Sequence, residues 1–261
     1  MDKQQPPVIS LSNIALKKRL SIDTLSANKG ECIYILGPNG AGKSTLLFII
    51  AGMITADSGS VLLHNKAIDQ WPLASLAGVR ALLPQQTENS FQLSVREYLS
   101  FYVEDTAAAE VVIPALLEKA LEINQFLDKT ITRLSGGERQ RVELGRALLQ
   151  LWAQLQQGEA IVLLDEPLQG LDIRHQYAVA QLIQVLCNKG NTVIMSCHDI
   201  ALSANYSDTV WLLQQGRIIG AGRPEAVLTK DNLETVFECH FAISKHDNFL
   251  EFQACAPISL E

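Results

Sequence analysis

The residues best suited to chemistry open the first glycine-rich stretch. Gly37-Pro38-Asn39-Gly40-Ala41-Gly42-Lys43-Ser44 fits G-x-x-x-x-G-K-[ST], and Thr45 follows it. Glycines at this spacing let successive backbone N–H groups turn inward around phosphate oxygens, and a helix starting here adds the partial positive charge of its N-terminus. Lys43 then reaches the outer phosphates of a nucleoside triphosphate, and the Ser44 hydroxyl suits Mg²⁺. The apolar run "CIYIL" before the loop and the helical run "STLLFIIAGM" after it supply the strand and helix that this pattern needs, which disfavours a purely structural turn.

Two further positions bear chemistry at strand ends. "IVLLDE" ends in paired carboxylates. Asp165 is placed to hold Mg²⁺ through its water shell, and Glu166, one residue on, points elsewhere and suits the general base that polarises an attacking water. An acidic strand end is ordinary taken alone; beside the phosphate loop it gains meaning. His198 follows the apolar "TVIMS" and precedes Asp199, so it too lies at a strand's carboxyl end, where an imidazole N–H donated to a γ-phosphate would stabilise developing charge.

Such positions require an α/β core. Short apolar runs at 31–36, 160–164 and 192–197, each bounded by polar residues or glycine, read as buried parallel strands. "VISLSNI", "LSIDTL" and "GSVLLHN" alternate like half-exposed antiparallel strands and predict a β lobe beside the loop. Between about Ser94 and Gln157 the β signal gives way to helical spacing in "SVREYLSFY", "VIPALLEKALEI" and "ERQRVELGRALLQLW", with Pro114 starting or kinking its helix. The expected organisation is one domain, a nucleotide-binding core with its β lobe over about 1–93 and 158–261, and an inserted helical subdomain over about 94–157. "DTVWLLQQGRIIGAG" predicts a hairpin at Gln215-Gly216, followed by a helical "PEAVLTKDNLETVFECH" and two weak strands.

Composition narrows the partners. The 261 residues carry a net charge of −7, and the one dense basic cluster, Lys17-Lys18-Arg19, is too small for a nucleic-acid footprint and reads as a solvated hairpin. No nucleic-acid partner is expected. Neither a secretory signal nor a membrane span is legible, so the expected location is cytoplasmic. Five scattered cysteines without a C-x-x-C pair argue for reduced thiols rather than disulfides or zinc, and Trp71, Trp152 and Trp211 read as packing residues.

"LSGGERQRVELGRALL", Leu134 to Leu149, decides the family. With it the chain resembles the ABC-type ATPases, the nucleotide-binding subunits of ABC transporters, over nearly its whole length. The resemblance implies a P-loop NTPase core of ABC-ATPase type with an N-terminal antiparallel β subdomain and an inserted α-helical subdomain, binding ATP and Mg²⁺. It also implies that Ser135, Gly136 and Gly137 contact the γ-phosphate held by a second copy, in a head-to-tail homodimer. A glycine-lined helix start offers the anion surface that this role needs. "LLPQQ" supplies Gln85, the family's residue for Mg²⁺ or water, with Gln86 its neighbour and alternative; "LQGLD" supplies Asp172; "SCHD" makes His198 the switch histidine.

Departures from the family pattern are instructive. "NIALKKRLSIDTL" holds no aromatic residue to stack on adenine, which leaves aliphatic and cationic contacts for the base, and Gly145 stands where alanine is common. The missing aromatic, the extra "LWAQLQQGEA" and the short tail look like the ATPase of bacterial vitamin B12 importers, with haem and ferric-siderophore importers as near neighbours. That likeness implies two transmembrane permease subunits, a periplasmic substrate-binding protein acting through them, and a peripheral place on the cytoplasmic face of the inner membrane. Two rival classes are weighed. Chromosome-maintenance and DNA-repair ATPases insert a long coiled coil before the signature, for which no sustained heptads exist here, and an iron–sulfur assembly ATPase stays open. A module that binds ATP without hydrolysing it would have lost one of Lys43, Asp165, Glu166 or His198.

Overall fold

The computed structural model describes residues 6–17, 19–85, 92–103, 111–247 and 249–257. In chain order the elements are β1 (Ile9–Leu16), β2 (Leu20–Ala27), β3 (Cys32–Leu36), α1 (Lys43–Ile50), β4 (Ser58–Leu63), β5 (Lys66–Ala67), α2 (Leu73–Ala77), β6 (Arg80–Leu83), α3 (Val95–Ser100), α4 (Ala115–Leu121) and α5 (Gly136–Leu149). They continue as α6 (Trp152–Gln157), β7 (Ile161–Leu164), α7 (Ile173–Asn188), β8 (Thr192–Ser196), α8 (Ile200–Tyr206), β9 (Thr209–Gln214), β10 (Arg217–Gly222), α9 (Pro224–Val227), α10 (Lys230–Phe237), β11 (Cys239–His246) and β12 (Phe249–Pro257).

Alternation within β3 explains the layering. Ile33 and Ile35 join one apolar cluster with β1, β2 and α1, while Cys32, Tyr34 and Leu36 join a second with α5, α7 and α8. A strand covered on both faces reads as one continuous apolar run, which is why "CIYIL", "IVLL" and "TVIMS" stood out. The central sheet has the order β10-β9-β3-β8-β7-β6, with β9, β3, β8, β7 and β6 parallel and β10 antiparallel to β9. A second sheet, β2-β1-β4-β5, is antiparallel as its alternating pattern predicts, and β11 pairs with β12. The fold is thus α/β of the expected class.

Local chemistry sets the helix ends. Ser94 with Glu97 and Ser135 with Glu138 form capping boxes that start α3 and α5. Pro114 starts α4 rather than kinking it. The predicted helix "PEAVLTKDNLETVFECH" is instead two helices, because the Thr229 side chain accepts from the Asn232 N–H and caps a new start, and its last residues belong to β11. Gln215 and Gly216, at φ 47° and 76°, make the predicted hairpin turn. Strand β6 escaped the sequence reading, since "RALL" is four residues long and lies at the sheet edge.

Gly145 has a packing reason. A Cβ there would lie 2.2 Å from Cδ1 of Ile123, so the Ile123 methyl occupies the space that alanine would take. Gly145→Ala alone is expected to cost about 1–3 kcal/mol through overpacking. Combined with Ile123→Val, which removes that methyl, it should regain most of the loss, because alanine favours a helix interior over glycine by up to about 1 kcal/mol. Thermal melts of the single and double variants check this; equal melting temperatures would refute the packing account.

Candidate active site

Three adjacent parallel strands, β3, β8 and β7, bring their carboxyl ends to one edge, where open α/β sheets bind ligands. The loop after β3, the carboxylates after β7 and His198 after β8 therefore meet although they are far apart in sequence. Gly37 is forced by proximity: a Cβ would lie 2.1 Å from the Leu213 carbonyl oxygen. Gly40 is forced by backbone, at φ +77° with open space beside it. Helix α1 begins at Lys43 directly after Gly42, so its free N–H groups face the loop's concavity. Asn39, Gly40, Ala41, Gly42, Lys43, Ser44 and Thr45 all line one cavity of about 630 Å³.

Lys43 is buried, and its ammonium donates to the carbonyls of Gly37 at 2.8 Å and Pro38 at 3.1 Å. Burial lowers its pKa, while the carboxylates of Glu166 and Asp165 oppose that shift. Asp165, 1% exposed, accepts from the Ser196 hydroxyl at 2.6 Å through Oδ1. Its Oδ2 is buried with no hydrogen-bond partner. An orphaned carboxylate oxygen of this kind fits a hard cation that a ligand's phosphates and water complete. Among the described residues no group of three His, Cys, Asp or Glu side chains is arranged to hold a metal ion, so an all-protein metal cage is not what these residues build.

Glu166 adopts φ 50°, the left-handed region that a β-carbon disfavours. This turn aims its carboxylate into the cavity, where Gln85 Nε2 donates to Oε2 at 2.8 Å and His198 Nε2 approaches Oε1 at 2.7 Å. The Glu166 N–H donates to Ser196 Oγ at 2.8 Å, so one hydroxyl ties both acidic residues to β8. Ser196 was missed in the sequence, where it read as the end of a strand. Gln86 lies outside the described residues.

Arg19 adds to an expectation. The basic cluster read as a solvated hairpin; Lys17 and Arg19 are exposed on a turn and Lys18 lies outside the described residues, and Arg19 also lines the same cavity as the phosphate loop. Its backbone is wedged in place, since a Cβ at Gly216 would lie 2.3 Å from the Arg19 carbonyl oxygen. No carboxylate among the described residues pairs with its guanidinium. An arginine in a β lobe that offers no aromatic was the available signal.

Ser135, Gly136 and Gly137 do not join this cavity. Ser135 and Gly136 are exposed at the start of α5 and do not line that cavity. Glu138 accepts from the Ser135 N–H at 2.8 Å and from Lys129 Nζ at 2.9 Å. The Lys129 hydrogen bond, then the Ser135 backbone, hold its carboxyl down to about 2. A depressed acid stabilises the fold above its ordinary titration and loses that contribution as pH falls towards 2. Asp172 caps α7, accepting from the His175 N–H at 2.8 Å, and its side chain is 65% exposed.

A family model described as ABC transporter matches residues 20–169. The chain belongs to the ABC transporter ATPases. It is 37% identical over 239 residues to the hemin import ATP-binding protein HmuV of Rhodopseudomonas palustris, covering 90% of each chain. It is 36% identical over 238 residues to the vitamin B12 import ATP-binding protein BtuD of Yersinia pestis, covering 90% of this chain and 94% of that one. A metal-chelate type ABC transporter solved in an inward-facing conformation superposes with a TM-score of 0.74 over 96% of this chain and 98% of that one; at 22% identity it supports the fold. The cbiO1 subunit of Clostridium perfringens, part of the cbiONQ complex, is 26% identical with a TM-score of 0.67, over 88% of this chain and 94% of that one. As an ABC transporter ATPase the chain binds and hydrolyses ATP. No helix among the described residues is long and apolar enough to cross a membrane.

Proposed function

We propose that this ATPase is the motor subunit of a bacterial importer, working as a homodimer beneath two transmembrane permease subunits on the cytoplasmic face of the inner membrane. A periplasmic binding protein delivers the cargo, vitamin B12. The observation that carries the motor reading is the convergence of Lys43, Glu166, Gln85 and His198 on one cavity, with Asp165 buried beside Glu166 on the same Ser196 hydroxyl and with Ser135 and Gly136 exposed elsewhere on the same chain. A chain with one complete phosphate cradle and one outward-facing, unused helix tip is complementary to a second copy of itself. The near-equal likeness to hemin and vitamin B12 import proteins favours haem as the second reading of the cargo.

The work divides among the residues by their chemistry. Backbone N–H groups of the Gly37–Thr45 loop, Pro38 excepted because it has none, and the Lys43 ammonium bind the phosphates; Ser44, Gln85 and Asp165 would hold Mg²⁺, which supplies charge neutralisation at the outer phosphates when bound. Glu166 takes the proton of the attacking water, and His198 holds the γ-phosphate end by donating a hydrogen bond. Ser135, Gly136, Gly137 and Asp172 complete the partner copy's site. The inserted helical segment, carrying Ser135, Gly136 and Gly137, is the lobe that ATP occupancy reorients.

Mixed dimers test the shared site. Subunits carrying Ser135→Arg combined with subunits carrying Lys43→Ala retain at most one intact composite site, so their turnover should not exceed about half the wild-type rate if sites act independently. Full activity from every mixed dimer would refute the sandwich. Uptake of radiolabelled cobalamin, and of haem in parallel, by a strain lacking this gene assigns the cargo; restored haem uptake without cobalamin uptake overturns the first reading.

A further inference from the structure

His175 sits in a polar chain that the reaction chemistry does not use. It lies in the first turn of α7, buried to 9% exposure, with Nδ1 2.9 Å from both carboxylate oxygens of Asp172 and Nε2 2.9 Å from Nη1 of Arg141 in α5. A guanidinium can only donate, so Nε2 accepts and the ring proton stays on Nδ1, donated to Asp172. Arg141, itself 8% exposed, is further fixed by the Leu121 carbonyl at 3.1 Å and by the Phe126 ring 4.7 Å beneath its Cζ. Glu122, 3.4 Å from the imidazole and 3.5 Å from Arg141, balances the charge and is held in turn by Arg174.

This relay joins two elements that other contacts also press together. A Cβ on Gly137 would lie 2.8 Å from the Gly170 carbonyl oxygen, and Gln140 Nε2 donates to the Glu166 carbonyl at 3.3 Å. Helix α5 is therefore fastened to the segment 166–172 at its first turn, one turn on, and through His175. Of these ties, only the His175 relay runs through a buried side chain to the exposed carboxylate of Asp172.

We propose that His175 is a positioning residue that locks the Ser135–Gly137 tip and the Asp172 loop into one rigid unit, so that a subunit presents both to its partner's nucleotide together. The inference rests on the dimer reading above. It makes a directional claim: damage at His175 weakens the site on the opposite subunit and leaves the subunit's own phosphate cradle intact. A neutral bridge between a buried cation and a carboxylate leaves both without their partner when it is removed, and the coupling of neighbours in one network is what mixed variants resolve.

The test is the placement of His175→Asn relative to Lys43→Ala in mixed dimers purified through two different tags. Asparagine can keep the donor towards Asp172 and severs the Arg141 arm, and His175→Gln, which severs the Asp172 arm instead, serves as a second variant against misfolding. With the two changes on different subunits, one composite site stays intact; with both on the same subunit, neither does. The split arrangement is expected to exceed the same-subunit arrangement by at least about tenfold, both in single-turnover hydrolysis and in Mg-ATP-driven association. Equal values, or the reverse order, overturn the assignment, the reverse order meaning that His175 serves its own cradle. If Glu166→Gln subunits with native His175 do not pair on Mg-ATP, the dimer reading fails; if they pair and the two arrangements match, only the role of His175 fails.

Discussion

Glu166→Gln is expected to lower steady-state turnover by about 10³-fold, within the range for removing a general base, while ATP still binds and the dimer accumulates in its closed form. The amide keeps the volume of the carboxylate, and its oxygen can accept from His198 or from Gln85, the two donors that now share Glu166. It cannot accept the proton of the attacking water. The loss should therefore fall on the chemical step. Phosphate release in a single turnover, followed by sizing with Mg-ATP, reads both effects. Wild-type turnover in this variant would remove Glu166 from the reaction.

Lys43→Ala should act on binding instead. Lys43 is 5% exposed and its ammonium is already committed to the loop, donating to Gly37 and Pro38. Desolvation makes it eager for an anion, and the carboxylates of Glu166 and Asp165 keep it charged. Charge-assisted hydrogen bonds contribute about 1.5–3 kcal/mol each, so two contacts to outer phosphates predict about a 10²- to 10⁴-fold weaker affinity for Mg-ATP. Calorimetry with ATP decides it, and unchanged affinity would contradict the placement of Lys43 at the phosphates. Its readout separates it from Glu166→Gln, where affinity survives and the rate does not.

Much of this molecule was visible in the chain itself, for definite reasons. Strands β3, β7 and β8 are buried on both faces, so their sequences are mostly apolar runs, and each leads into residues with chemistry. The glycine loop was legible because its tight turn needs a close approach at Gly37 and a positive φ at Gly40, which glycine alone supplies cheaply. Ser196 was not legible: within "TVIMS" it looks like a strand terminus, and only the parallel register of β7 with β8 sets its hydroxyl between Asp165 and Glu166. Arg19 was hidden by its neighbours, since a basic triplet on a turn is usually solvated, and its backbone contact with Gly216 depends on two distant hairpins meeting. The Asp172–His175–Arg141 relay spans two helices that become neighbours only on folding.

The positive φ of Glu166 has an evolutionary consequence. Glutamate held in that conformation costs of order 1 kcal/mol against glycine, which has no β-carbon, or asparagine, whose short polar side chain tolerates it. Selection for thermal robustness alone would draw this position towards those two residues and silence hydrolysis on the way. Glutamate in a conformation it disfavours is the mark of a residue kept for work rather than durability, and directed evolution for heat resistance should shield this codon from its libraries.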